Sequence, residues 1–565
     1  MKKDVVVLGI QDGHNAGAAL IRNGQVLAAI NEERINNIKN YSGPPLDSIK
    51  KVFQISKINP SEIDIIAVTG LVRTHAPLKE RPFHVKLYDG MSPYIHSHSF
   101  CNLLVKTLHK FRKMGQLMEL FQKMNIADRE IFFVEHHLAH AACAYYQRPW
   151  EDRTLILTLD GAGDCLSSTV NIGEGFQIKR IASSTHYDSP SNNLYSEITG
   201  YLGMKRWEHE YKVMGLAPYG KAEYCIETMR NLVRINPNKQ LEFQNTSGAY
   251  LSQIQPILRK KLREQRFDNI AAACQAYFEE LIAQWVKNCI KEIGIKKLVC
   301  SGGGFLNVKA NKIIREMEEV DAVFFYPAAD DGGIPVGTAL EAYYRFCDLE
   351  GIAPRRSVLA DLYYGAEYDD EYIKHAMEKS GWLTKASFIQ DIEGEVAELI
   401  SRGKIIARFS GRDEWGPRAL GNRTILADPR DLRVIRKINF AIKFRDFWMP
   451  FAPSILEEQI GEYLVNPRRA PYMIEAFDTT DRAQEIVAGL HPQDRTARPQ
   501  TVNEWNQSYR KILLAFKHIT GVGGILNTSF NLHGYPIVGT PEIALNTLNN
   551  SDLDGLAIGN WLILK

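Results

Sequence analysis

The sequence predicts an α/β protein whose N-terminal part is a duplicated layered unit, followed by a second α/β unit. Three observations carry this reading. Short β-branched runs alternate with helix-length stretches along most of the chain. A hairpin signal opens it, and near residue 350 a stretch rich in Gly, Pro and charge separates two sets of polar motifs. At 565 residues, the chain also exceeds what one hydrophobic core usually organises.

The elements follow in order. Residues 5–10 form an apolar run, and 18–21 lead into the tight-turn pair Asn23-Gly24 before another run at 26–30. Further strands are expected at 63–68, 131–134, 154–159, 297–300 and 322–325, with helices over 100–124, 269–293, 308–318 and 337–347. A hairpin, then strand–helix units, then Gly-rich strand–loop–helix units suit a duplicated fold of the actin and sugar-kinase type. Glu350-Gly351-Ile352-Ala353-Pro354-Arg355-Arg356 sets the domains at 1–350 and 351–565. In the second, 405–409 reads as a strand and the polar stretch 479–502 as a long loop, a kind that is often functional.

Composition narrows the function classes. Hydrophobic residues at 45% and charged residues at 24% describe a globular chain. A net charge of +2 supplies no global field for nucleic acid or an anionic membrane. Eight cysteines are scattered without a C-x-x-C pair, the pattern of reduced thiols. The apolar part of MKKDVVVLGIQDG is too short for a signal peptide, and no run of about 18 apolar residues follows. The expectation is a soluble cytoplasmic enzyme.

Its chemistry is concentrated in a few segments. In Glu135-His136-His137-Leu138-Ala139-His140, the first and last histidines are four apart and would share one helix face, with His137 pointing elsewhere. Lone histidines are usually packed or surface residues, so the pair needs company. Asp160 in Thr158–Asp164 and the doublet Asp330-Asp331 before Gly332-Gly333 offer carboxylates at strand ends. Either Asp alone reads as a helix cap. With the histidines they make a two-His, two-Asp site suited to iron or another first-row metal. In the doublet, Asp330 occupies the Asp-x-Gly position and is the choice, with Asp331 one residue away.

Gly302, Gly303 and Gly304, followed by Asn307, would let a nucleotide approach the backbone, although a structural turn explains the glycines nearly as well. Asp12-Gly13-His14-Asn15 follows the first strand, and a neutral imidazole there could take a proton from an alcohol. An idle turn histidine is the plainer account. In the C-terminal unit, Arg418, Lys443, Arg445 and Arg498 come from separate segments and suit a polyanion. Asn527 and Ser529 add donors. Surface salt bridges are the ordinary alternative, but Arg418 and Arg498 lie among Gly and Pro turns.

Together these motifs resemble the carbamoyltransferase family that includes NodU and the tailoring enzymes of the nebramycin and novobiocin pathways. Gly416-Pro417-Arg418-Ala419-Leu420-Gly421-Asn422-Arg423 and Pro450-Phe451-Ala452-Pro453-Ser454 carry the resemblance most specifically, and matching segments span nearly the whole chain. The resemblance implies an N-terminal TsaD-like domain and a C-terminal YrdC-like α/β domain. The latter would form carbamoyl-adenylate from carbamoyl phosphate and ATP, with Mg²⁺ accompanying ATP. The former, holding a divalent metal with Fe²⁺ foremost, would pass the carbamoyl group to a hydroxyl of a small-molecule acceptor. By motif, His136, His140, Asp160 and Asp330 would bind the metal, and His14 with Asp12 would be catalytic. Lys212, Gly302, Gly303, Gly304 and Asn307 would hold the adenylate, and Arg418, Lys443, Arg445, Arg498, Asn527 and Ser529 the phosphates. Asn15 stands where many relatives have Asp, leaving less charge near the acceptor. No nucleic-acid or membrane partner is expected, and a homodimer is left open. Two rivals are a tRNA threonylcarbamoyl-adenosine enzyme, disfavoured by the near-zero net charge, and a non-catalytic metal- and nucleotide-binding regulator, disfavoured by retention of the polar motifs in both units.

Overall fold

The computed structural model describes residues 4–71, 118–119, 121–443 and 445–565. Most of the helix expected over 100–124 lies outside the described residues. The chain divides into two compact units: Met1–Asn31 with Tyr41–Leu359, and Glu32–Asn40 with Ala360–Lys565. The division after Leu359 falls close to the expected Gly- and Pro-rich stretch. The assignment of Glu32–Asn40 to the second unit has no compositional signal.

The first unit repeats one sheet design. Strands β1 (Val6–Gln11), β2 (Gly17–Arg22), β3 (Gln25–Asn31), β4 (Ile65–Thr69) and β5 (Glu130–Val134) are ordered β3-β2-β1-β4-β5. The first three form an antiparallel meander, and β4 and β5 run parallel to β1. Asn23 and Gly24 both have positive φ, at 53° and 78°, as the β2–β3 turn requires. Strands β6 (Thr154–Gly163), β7 (Leu166–Glu174) and β8 (Gln177–Thr185) form a second meander; a small hairpin, β9 (Val233–Asn236) and β10 (Lys239–Asn245), stands apart. With β11 (Lys297–Ser301) and β12 (Ala322–Phe325), the second meander gives β8-β7-β6-β11-β12, the same order and sense as the first sheet. The duplication expected from the sequence is therefore present in the strand order.

Helices α1 (His136–Tyr146), α2 (Phe267–Ile293), α3 (Val308–Glu316) and α4 (Ile334–Leu349) connect and cover these strands. Helix α4 starts one turn earlier than expected because Pro335 occupies its first turn, where its missing N–H costs nothing. It lies close against α1: a Cβ at Gly337 would come within 2.0 Å of the Ala139 carbonyl oxygen and 2.5 Å of Cys143 Sγ. Segments carrying polar motifs leave β1, β5, β11 and β12 at their carboxyl ends, where α/β sheets ordinarily bind ligands.

The second unit is built on one mixed sheet: β13 (Ala386–Phe388), β14 (Ile406–Phe409), β15 (Arg423–Ala427), β16 (Ala452–Leu456), β17 (Gln500–Val502), β18 (Gly524–Ser529), β19 (Gly555–Ile558) and β20 (Trp561–Leu564). Their order is β13-β20-β19-β14-β15-β18-β16-β17. Neighbouring residues alternate between two cores. Ile406 and Leu426 join one with α5 (Ile392–Ser401) and α6 (Gln507–Thr520), while Ala407, Ile425 and Ala427 join the other with α7 (Pro541–Asn549). The stretch 479–502 is not a plain loop: it holds a 3₁₀ segment, Asp481–Gly489, and β17. Its polar composition hid a strand whose Gln500 is buried and bonded to Ser454 Oγ at 2.9 Å. Among the described residues, no helix is long and apolar enough to cross a membrane.

Gly337→Ala tests the α1–α4 packing. Backbone sits on one side of the missing Cβ and leaves no room to give. We expect a loss of about 1–3 kcal/mol or more, read as a lowered thermal midpoint and weaker metal retention through displaced α1. An unchanged midpoint would contradict the packing.

Candidate functional site

Helix α1 begins at His136 because Glu135, in extended conformation, accepts the Leu138 N–H at 2.8 Å as its N-cap. Arg180 fixes that carboxylate at 2.6 Å. His136 and His140 then point the same way, their Nε2 atoms 3.2 Å apart. Asp160 Oδ2 lies 3.4 Å from His136 Nε2, and Asp331 Oδ1 lies 3.4 and 3.5 Å from the Nε2 atoms of His136 and His140. Four ligand atoms thus fall within 4.8 Å of one another, all on buried or nearly buried side chains.

This spacing fits a metal. N and O ligands at about 2.0–2.2 Å from a small divalent ion stand roughly 3–3.5 Å apart. Asp331 Oδ1 is buried without a hydrogen bond, the condition of an atom awaiting a cation. The surroundings aim the ligands. Asp164 Oδ2 accepts the His136 N–H at 2.8 Å, and Asp160 Oδ1 accepts the Gly303 N–H at 3.1 Å. Gly163 is glycine because a Cβ there would lie 2.0 Å from the His136 ring. Ser301 Oγ stands 3.5 Å from His140 Nδ1.

The local field agrees. Burial opposes a charge on His136, but Asp331, Asp160 and Asp164 together outweigh it and lift it to about 9. Asp160 is held at about 2, burial and Asp331 being overcome by His136 and His140. His137 is different: burial pushes it down to about 3, and its Nδ1 pairs with Thr158 Oγ1 at 2.8 Å. It is a neutral structural residue.

One expected ligand is corrected. The sequence reading chose Asp330, whereas Asp331 completes the cluster. Asp330 is the extended residue before the 3₁₀ turn Asp331–Gly333, and the turn carries the next side chain inward. His14 joins the same cluster, its Nδ1 3.6 Å from Asp331 Oδ2. Burial lowers its pKa, but Asp331, with Asp330 and Asp160, leaves it raised. Asn31, which the sequence reading missed, ties the two loops by donating to the carbonyls of Asn15 at 3.2 Å and Gly332 at 3.1 Å. Asp12 is buried just beyond β1.

The glycine loop has a structural duty. A Cβ at Gly302, whose φ is 104°, would come 2.3 Å from the Leu159 carbonyl oxygen, and one at Gly304 would lie 2.6 Å from Leu159 Cγ. The loop packs on the strand that carries Asp160. Asn307 caps α3 and exchanges hydrogen bonds with Gln275 at 2.9 and 3.0 Å. Lys212 is buried within the helix Glu210–Leu216.

In the second unit, Lys443 is 4% exposed and donates to Ser529 Oγ at 3.1 Å, to the Ser529 carbonyl and to Asn531 Oδ1. Burial, Arg445 and Lys39 drive its pKa well down; burial, Arg418 and Arg445 do the same to Arg498. No carboxylate among the described residues offsets either charge. Arg418, Lys443, Arg445, Arg498 and Ser529 are therefore brought together, with Lys39 from the Glu32–Asn40 segment as a cation that sequence reasoning missed. That segment is anchored by buried Arg34, which donates to the Gly416 carbonyl at 2.8 Å and stands 3.7 Å from Asp413. Asn527 does not join them. It is 1% exposed and spends its amide on Ala419, Ser454 and Gln500 inside the unit.

The metal assignment gives a direct test. Asp331→Asn should cost more than the ~10–100-fold in metal affinity typical of an outer-shell loss, whereas Asp330→Asn should keep full metal by elemental analysis. The reverse pattern would restore the original assignment. Because metal-free His136 holds its proton up to about pH 9, binding near pH 7 should release that proton, and affinity should fall as pH is lowered.

Comparison with known proteins places the chain. Residues 6–340 match the family description "Carbamoyltransferase N-terminus" and residues 397–565 "Carbamoyltransferase C-terminus". The nodulation protein NolNO of Sinorhizobium fredii is 32% identical over 577 aligned residues, covering 98% of this chain and 79% of that one. An uncharacterized protein of Methanocaldococcus jannaschii is 30% identical, covering 99% of this chain and 100% of that one. Nodulation protein U of Sinorhizobium fredii is 24% identical, with 94% of each chain covered. The chain belongs to the carbamoyltransferase family.

Proposed function

We propose that the chain is an ATP-dependent O-carbamoyltransferase that converts carbamoyl phosphate and ATP into carbamoyl-adenylate and passes the carbamoyl group to a hydroxyl of a small molecule. One observation supports the reading most: a carboxylate–imidazole cluster suited to a cation in one unit, and in the other a set of buried cations that depress one another. We assign adenylate formation to the second, YrdC-like unit and transfer to the first, TsaD-like unit.

In the second unit, Arg418, Arg445 and Arg498 would grip phosphate oxygens in pairs, and Lys443 would act as a point charge beside Ser529. The mutual repulsion of these cations is relieved when phosphates arrive with Mg²⁺. Water first cleaves carbamoyl phosphate to carbamate and inorganic phosphate; the carbamate oxygen then attacks the α-phosphorus of ATP and pyrophosphate leaves, giving a mixed anhydride whose AMP departs readily. In the first unit the acceptor oxygen attacks the carbamoyl carbon, AMP leaves with the bonding electrons, and His14 takes the acceptor's proton. Asp331 Oδ2, facing His14 Nδ1, steadies the imidazolium that results. His136, His140, Asp160 and Asp331 would hold Fe²⁺ or a similar ion, which supplies electrostatic stabilisation of the oxyanion developing at the carbonyl.

Mass spectrometry with candidate alcohols, seeking the mass gain of one carbamoyl group, tests the overall reaction. Arg418→Ala should abolish carbamoyl phosphate-dependent ATP–pyrophosphate exchange, since losing a charge-assisted phosphate contact costs roughly 1.5–3 kcal/mol or more. Undiminished exchange would remove Arg418 from the site. His14→Asn should cut transfer from supplied carbamoyl-adenylate by about 10²–10⁴-fold while exchange continues. Wild-type transfer by the Asn variant across pH 6 to 8 would reduce His14 to an orienting residue.

A further inference from the structure

The segment Glu32–Asn40 leaves the first unit, belongs to the second and returns. Both of its ends are fixed beside His14. Asn31, the last residue of β3, donates to the carbonyls of Asn15 at 3.2 Å and Gly332 at 3.1 Å. Tyr41, the first residue back, accepts the Ala16 N–H through its carbonyl at 2.9 Å. The loop that carries His14 is therefore pinned at Asn15 by the residue before the excursion and at Ala16 by the residue after it.

The middle of the segment is seated in the second unit. Arg34 is 3% exposed, donates to the Gly416 carbonyl at 2.8 Å and stands 3.7 Å from Asp413. Gly416 lies two residues before Arg418 of the cation cluster. A Cβ at Gly539 would come 1.8 Å from the Arg34 carbonyl oxygen, so the second unit gives up a side chain to seat the segment. Lys39 adds its charge to those that depress Lys443. The segment is also braced within itself. Its helical turn Glu33–Asn36 stops at Asn37, whose φ is 60°, and the Ile38 N–H donates to Asn36 Oδ1 at 2.9 Å. The Asn40 N–H donates to Glu33 Oε2 at 2.8 Å, which ties the two ends together. A segment closed in this way moves as one body, so a displacement at Arg34 or Lys39 reaches Asn31 and Tyr41.

We infer that Glu32–Asn40 is a strap that couples the two sites: a phosphate compound bound at the Lys443 cluster fixes the strap through Lys39 and Arg34, and the strap then orders the His14 loop for proton removal. The inference rests on the proposed reading, which takes the cluster to bind phosphates and His14 to be the base, and adds an order of events to it. The driving force is electrostatic. Lys39, Lys443 and Arg445 repel one another until an anion lies among them, so the anion binds better to the arrangement that brings Lys39 close. The gain is timing. Carbamoyl-adenylate is open to water, and a base that is set only while the activating site is filled limits that loss. Glu33 and Arg34 are positioning residues in this scheme, acting through the His14 loop.

Hydrogen–deuterium exchange read by mass spectrometry tests the strap on full-length, metal-loaded protein. The probe is α,β-methylene-ATP with Mg²⁺, an analogue that cannot release pyrophosphate. In wild type it should slow exchange in a peptide covering Gly13–Gly17 by at least about 5-fold, the low end of ordinary coupling between sites. A peptide covering Asn527–Asn531, which holds Ser529, should slow as well. Two changes slacken the strap and leave Arg34, Lys39 and the cation cluster in place: Glu33→Ala, and insertion of two glycines between Asn40 and Tyr41. Each should abolish the slowing at Gly13–Gly17 and keep that at Asn527–Asn531, with the wild-type thermal midpoint. Arg418→Ala should lose both. Undiminished slowing at Gly13–Gly17 in the slackened variants overturns the inference. So does slowing there in Arg418→Ala without slowing at Asn527–Asn531, because the analogue then reaches the His14 loop by another route. Slowing confined to Asn527–Asn531 in wild type overturns the strap alone and leaves the phosphate reading standing. No slowing of either peptide in wild type removes the phosphate reading and the strap with it.

Discussion

Two buried carboxylates, Asp160 and Asp331, face two imidazoles at 3.4–3.5 Å, and an arrangement of that kind needs positive charge at its centre. Much of the first unit is arranged around that need. Gly163 clears room for the His136 ring, Gly302 and Gly304 seat a loop on the Asp160 strand, and Gly337 lets α4 press against the helix that carries both histidines. Asp164 and Glu135 spend their carboxylates on backbone N–H groups, which orients the ligands without crowding the centre. The second unit gathers charge of the opposite sign. Lys443 and Arg498 are depressed by burial and by neighbouring cations, and among the described residues no carboxylate offsets either charge.

That division suits a reaction in two halves on the proposed reading. Activating carbamate is a phosphate problem, met by fixed cations and donors that neutralise charge on oxygen. Transfer is a carbonyl problem, in which a proton must leave an alcohol as an oxyanion develops. His14 serves both needs through one contact. Asp331 points one oxygen at the histidine pair and the other at His14, so the group that would take the proton is held by a member of the cluster.

The sequence made the repeated units legible because both features are local. Asn23-Gly24 encodes its turn in two residues, and β-branched runs encode their strands. The histidine pair was legible for the same reason: a spacing of four on a helix is a geometric fact. The Asp330–Asp331 choice was not, since a 3₁₀ turn decides which carboxylate faces inward and doublets carry no periodicity. Asn527 looked like a phosphate donor by its neighbours Thr528 and Ser529, yet its position in the strand turns it into a buried network. Lys39 and Asn31 act across sequence distances that no local pattern encodes, and β17 was masked by the polar side chains that its burial satisfies.

On the proposed reading, adenylate formation belongs to the second unit and needs nothing from the candidate metal cluster of the first. Full-length protein should be stripped of its transition metal by chelation, resupplied with Mg²⁺ and ATP, and assayed for carbamoyl phosphate-dependent exchange of pyrophosphate into ATP. The account predicts exchange at close to the rate of the metal-loaded protein. Exchange that vanishes with the stripped metal and returns only when Fe²⁺ is restored would contradict it.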